Sequence, residues 1–402
     1  MSRYADDMES RSYDIRPEDD NYGEELAEVA RLFRSFSEVM DEFLQDHGYD
    51  GDIADAEGKA AFLKARFREA GIPAPRGMSS WFRGQSQVRR KTAYLICFAF
   101  HLNVKETEDF FRVACLGRGF DCHYIREAIY YYAFCSGLSF QEAQELIRRA
   151  PEDDKGPLDF ESEEDILYTA SIIDQIDRSR SPEELLDFFR ANYAQFGYNN
   201  ATAYRYIRSI WDSISRPEDG LAARERKLFL EEEDPYKGRS DWDIYLQILG
   251  IHADRTDAFG GDRSLKKILK NNAILHPMAE EAFPDREGIN RMLRGVHVSH
   301  EKVRKAMILL TFYQFWVTRA LAKGDGIYAA EGGDADRCQA EIDRYLVDSG
   351  YPELYPGNPY DWIFLHGIQD DYPLPTLRGF MNELFLVKQE EAAQSQIQSL
   401  EQ

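Results

Sequence analysis

One thirteen-residue block occurs twice in this chain, and a repeat of that kind restricts the fold more than any single motif. Ile72-Pro73-Ala74-Pro75-Arg76-Gly77-Met78-Ser79-Ser80-Trp81-Phe82-Arg83-Gly84 returns as Phe283-Pro284-Asp285-Arg286-Glu287-Gly288-Ile289-Asn290-Arg291-Met292-Leu293-Arg294-Gly295. The first proline, both glycines and the Arg-Gly ending keep their places, and apolar replaces apolar at 72, 78, 81 and 82. Such a match predicts two copies of one helical module.

Hydrophobic periodicity gives the fold class. From Glu24 to Leu44 the apolar residues follow helical spacing, which predicts one long amphipathic helix. Asn103 with Glu106, and Ser139 with Glu142, read as capping boxes opening two more helices. Further helices are expected at 163–177, 182–196 (opened by Ser181-Pro182-Glu183-Glu184), 200–214, 239–252, 303–321, 335–348 and 376–388. Alternating apolar runs bounded by hairpin turns are missing, so the expected class is all-α and multi-helical.

The expected organisation is a disordered acidic leader over 1–22, a helical domain over 23–150 and an acidic linker over 151–165. An aromatic-rich helical middle over 166–260, a second module over 261–390 and a frayed tail over 391–402 complete it. Five cysteines without a Cys-x-x-Cys pair suit free thiols in a reducing compartment, and the polar start shows no export signal. With no apolar run near the length of a bilayer span, the expectation is a cytoplasmic protein with no membrane contact.

Charge limits the partners. A formal net charge of −23 opposes non-specific adhesion to phosphate, so a nucleic-acid site would have to be a local basic island. Arg76 to Lys91 is such an island, with five basic residues and no acidic one, and Arg286 to Lys305 is also net positive.

The layout around the first island resembles the lambda-repressor-like (Cro/Xre-type) helix-turn-helix family. Gly71-Ile72 provides the turn, Met78 to Arg83 a short helix ending Trp81-Phe82-Arg83-Gly84, and Ala99-Phe100-His101-Leu102-Asn103-Val104 a later Ala-x-x-Leu-x-Val ending. The second copy keeps Met292-Leu293-Arg294-Gly295, and Val303-Arg304-Lys305-Ala306 echoes Val88-Arg89-Arg90-Lys91. Pro73 and Pro75 fall where the family's reading helix starts, so this one must be short or begin near Gly77.

The resemblance implies a DNA-binding regulatory protein of bacterial or mobile-element type. It puts Ser79, Ser80 and Arg83 on a reading helix and sends Gln85, Gln87, Arg89, Arg90 and Lys91 to phosphates. In the second copy Asn290, Arg291 and Arg294 take the first role, and His297, Lys302, Arg304 and Lys305 the second. Two other readings stay open. The block could be a packing unit used twice, with its arginines paired to carboxylates. The acidic, aromatic surface could instead engage a nucleic-acid-handling protein, as a phosphate mimic does.

Other constellations are weaker. Cys115, Cys122 and His123 lack zinc-knuckle spacing, and the acids from Asp50 to Glu57 lack the central glycine of a calcium loop, so neither a metal nor a cofactor is expected. Ser264-x-x-Lys267 and Ser299-x-x-Lys302 lack the supporting motifs of a serine-lysine hydrolase, and no enzyme is expected. Tyr204-Arg205-Tyr206-Ile207-Arg208 mixes rings and cations, but helical packing explains it as well.

Overall fold

The computed structural model describes residues 3–86, 88–152, 169–197, 200–229, 240–251, 284, 286–324 and 328–386. The expected acidic linker from 153 onward, the start of the second module and the frayed tail lie outside them. Among the described residues every regular element is helical.

Two apolar cores organise the chain. The first gathers residues from Met40 to Phe196, the second joins Met8 to Ala30 with Ala201 to Leu384. This differs from the expected order of domain, middle and module. The chain starts in one lobe, crosses at 31–35 to build the other, and crosses back near Asn200.

The first lobe holds α3 (Phe36–Asp46), α4 (Ala56–Glu69), the single-turn α5 (Ser79–Phe82), α6 (Arg90–Ala99), α7 (Val104–Ala114), α8 (Ile125–Ser136) and α9 (Phe140–Arg149). It closes with α10 (Thr169–Arg178) and α11 (Pro182–Ala191). The second lobe holds α1 (Arg3–Asp14), α2 (Tyr22–Ala30), α12 (Ala201–Ser215), α13 (Leu221–Phe229) and α14 (Asp241–Leu249). Its later members are α15 (Arg286–Leu293), α16 (His300–Lys323), α17 (Asp334–Asp348), α18 (Pro359–Gln369) and α19 (Pro373–Leu386).

The expected leader is instead a packed helix. Ala5, Met8, Ser12 and Ile15 recur at helical spacing and are buried, while Asp6 and Asp7 face outward. Trp362 Nε1 donates to Met8 O at 2.8 Å, and His366 Nδ1 lies 3.0 Å from Ser12 O. The density of acids on the solvent side had masked this narrow apolar stripe.

The long helix expected over 24–44 is two helices. Ser35 accepts from the Glu38 amide while Glu38 reaches back to the Ser35 amide, a complete capping box that starts α3 afresh. That break lets the chain change lobes.

Replacing Met8 by Ala tests the role of α1. Chemical denaturation should show a loss of about 2–5 kcal/mol, as for other buried methionines. A frayed leader would leave stability unchanged.

Candidate nucleic-acid interface

The two copies of the block end in the same hydrogen-bond pattern. In the first, Gly84 N donates to Trp81 O at 3.2 Å and Gln85 N to Ser80 O at 2.9 Å; in the second, Gly295 N donates to Met292 O at 3.0 Å and Val296 N to Arg291 O at 2.8 Å. Both glycines are left-handed, at φ 65° and 69°. This is the Schellman ending, and only glycine takes that conformation without strain. The apolar positions match too, with Met78 and Trp81 buried in one core and Ile289 and Met292 in the other.

Upstream the copies part. Pro75 delays the first helix until Ser79, past the left-handed Gly77, whereas Arg286 replaces that proline and starts a helix of eight residues that runs through Gly288. The register after the block also differs from the sequence echo. α6 and α16 begin at Arg90 and His300, so Val298 stands where Val88 does, and Arg304 and Lys305 fall a turn later.

The expected reading helix is one turn long and turns Trp81 and Phe82 into the core. Ser79 and Ser80 are half-buried, and Ser80 Oγ donates to Gly77 O at 2.7 Å and lies 2.5 Å from Ser86 Oγ. Arg83 pairs with Glu57 at 2.7 Å on the surface, an arrangement worth about 0–1 kcal/mol that a competing anion can displace. Gln85, Arg89 and Lys91 are exposed, and Gln87 is outside the described residues.

Arg90 corrects an expectation. It bonds Glu127 through two nitrogens at 2.8 and 2.6 Å and also donates to Arg118 O and Gly119 O. Burial pushes the Glu127 carboxyl up, but Arg90 and the Asp121 amide outweigh it and hold it below its usual range. This half-buried guanidinium is therefore engaged in holding a loop rather than free on the surface.

Arg304 is a second correction. Both its terminal nitrogens meet Asp361, one at 2.7 Å, and it is 3% exposed. In the same copy Asn290 is half-buried, Arg291 donates to His297 O at 2.7 Å, and Arg294 and His297 are exposed. Lys302 is half-buried, and Lys305 Nζ lies 4.9 Å from the centre of the Tyr360 ring.

Together with the helix starts they lead to, the connectors that follow the two blocks, 85–89 before α6 and 296–299 before α16, face one cleft of about 730 Å³ between the lobes. Gly84, Ser86, Val88 and Arg90 line one side, and Ser299, Glu301, Arg304 and Lys305 the other. The lobe-crossing segment adds Phe33, Arg34 and Phe36, which sequence reasoning did not single out. The Ser35-x-x-Glu38 capping box was the signal that a helix begins there.

Behind the cleft a buried polar junction joins the lobes. Arg118, paired with Asp121, donates to Ser349 O at 2.9 Å and Asn200 Oδ1 at 3.2 Å, and lies 2.9 Å from His300 Nδ1. Tyr351 donates to the same Asn200 oxygen at 2.8 Å. Tyr204, from the ring-rich run, accepts from the Val298 amide and donates to Val296 O, so it supports the second connector.

His123 is buried here with Nδ1 3.0 Å from Gln195 O. Burial pushes the Cys115 thiol up to about 12 and that of Cys122 well above its ordinary value, so neither is a ready thiolate ligand. Among the described residues no cluster of three His, Cys, Asp or Glu side chains could hold a metal ion, and no helix is long and apolar enough to cross a membrane.

Comparison with protein-family models, with curated proteins and with solved structures finds no match.

Two outcomes check this arrangement. Glu127→Ala leaves Arg90 buried without its partner and should cost about 3–5 kcal/mol in a denaturant titration, far more than Glu57→Ala at the exposed pair. The second concerns pH. Burial, and for His300 the neighbouring Arg118, lowers the imidazole pKa of His300 and His123, so the folded chain binds fewer protons there than the unfolded chain does. The unfolded chain takes up protons as pH falls through about 6.5, and stability should drop by up to about 1.4 kcal/mol per pH unit for each histidine. Melting temperature measured from pH 7.5 to 5.5 should therefore fall, and less so in His300→Asn.

Proposed function

We propose that the protein binds nucleic acid at the cleft its two modules share, in the regulatory role that a helix-turn-helix resemblance implies. One observation carries the reading. Two connectors from distant parts of an acidic chain line opposite sides of a single cleft. Arg83, Arg89 and Lys91 are exposed on the first connector and its flanks. Lys305 lines the opposite side.

The acidic remainder of the molecule repels phosphate elsewhere, which favours occupation of this one site over coating of the surface. Arg90 and Arg304 act indirectly, by holding the walls. Arg83 can exchange its exposed carboxylate for a phosphate at little cost.

A second reading is favoured by the carboxylate partners of Arg83 and Arg90 together with the net charge of −23. In it the acidic body engages a nucleic-acid-handling protein and the modules serve only as packing units.

Binding of labelled oligonucleotides at several salt concentrations separates the two. The first reading expects affinity to fall steeply with salt, and Arg89→Ala and Lys91→Ala each to reduce the log–log slope by about 1. No retention of DNA or RNA at low ionic strength would leave the protein-partner reading.

A further inference from the structure

We infer that the occupant of the cleft is single-stranded nucleic acid; this rests on the nucleic-acid reading above. Duplex readers present a helix long enough to enter a groove about 12 Å wide. α5 is a single turn whose Trp81 and Phe82 belong to the core, and α15 buries Ile289 and Met292. The first copy offers no helical face to a groove, and the exposed face of the second, on a helix of only eight residues, carries Glu287 beside Arg291.

The cleft itself has the size of a small-ligand site. Its 730 Å³ lies within the roughly 300–1,000 Å³ of pockets that enclose a few ring systems. One helical turn of duplex, roughly 34 Å long, is far too large to lodge there. A strand with unstacked bases can.

The lining chemistry points the same way. Phe33 and Phe36 are half-buried rings on the lobe-crossing segment, each packed at the edge of one core and lining the cleft, where a base can stack against them without sequence preference. Arg34 stands between them, its guanidinium 4.2 Å from the centre of the Tyr4 ring. Arg34 and Lys305, with the carboxylate-paired Arg90 and Arg304, line the cleft beside the single acid Glu301, and Arg89 and Lys91 are exposed on the first connector. Rings and cations therefore stand side by side along the cleft, the combination that single-strand grooves use.

Fluorescence anisotropy of the full chain with a 20-mer of deoxythymidine, a 20-mer of uridine and a 20-base-pair duplex tests this. At least one single strand should bind roughly tenfold or more tighter than the duplex. Phe36→Ala should weaken it by roughly five- to a hundredfold and Phe36→Tyr should restore it, the loss expected for one stacking ring. Ser86→Glu, at an exposed cleft position outside the core, should also weaken it and guards against a folding defect in the phenylalanine variant. Duplex binding as tight as single strand, or unchanged binding in both Phe36→Ala and Ser86→Glu, overturns the inference and leaves nucleic-acid binding standing. If none of the three probes binds, both fall.

Discussion

The guanidinium of Arg118 is the contact on which the arrangement of the molecule depends. It is 1% exposed, paired with Asp121 from its own loop, and its remaining bonds go to the other lobe. Burying a charge costs several kcal/mol unless geometry and hydrogen bonds offset it, and only one relative placement of the two cores brings Ser349, Asn200 and His300 to that nitrogen fork. An apolar seam of similar area would tolerate sliding. This one specifies a single docking.

The same network connects the two modules. Arg90, the first residue of α6, donates to the carbonyls of Arg118 and Gly119 while its partner Glu127 accepts from the Asp121 amide. From there Arg118 reaches His300, the first residue of α16. A shift of one connector therefore strains a loop that touches the base of the other. The chain itself adds two covalent ties, at 31–35 and near Asn200, whose left-handed φ of 60° carries the backbone into α12.

Much of this was legible in local chemistry. Asn103 with Glu106 and Ser139 with Glu142 are complete capping boxes, and Ser181 caps the helix that Pro182 opens. What escaped was either uniform or distant. α18 is buried on every side from Pro359 to Ile368, so it shows no amphipathic period, although Asn358 before Pro359 marked its start. α1 escaped because its exposed acids outnumber its buried apolar residues. The partners of Arg90 and Arg304 lie 37 and 57 positions away, and no local pattern encodes such pairings. The basic islands were therefore visible as charge, but not which of their cations the fold would neutralise.

In the proposed function both modules act on one ligand across one cleft. Amide hydrogen exchange of the full chain, with and without a saturating oligonucleotide, tests it most directly. Protection should rise together at 84–89 and at 296–302, with the Phe36 region following. Protection confined to one connector, or to neither, would contradict it.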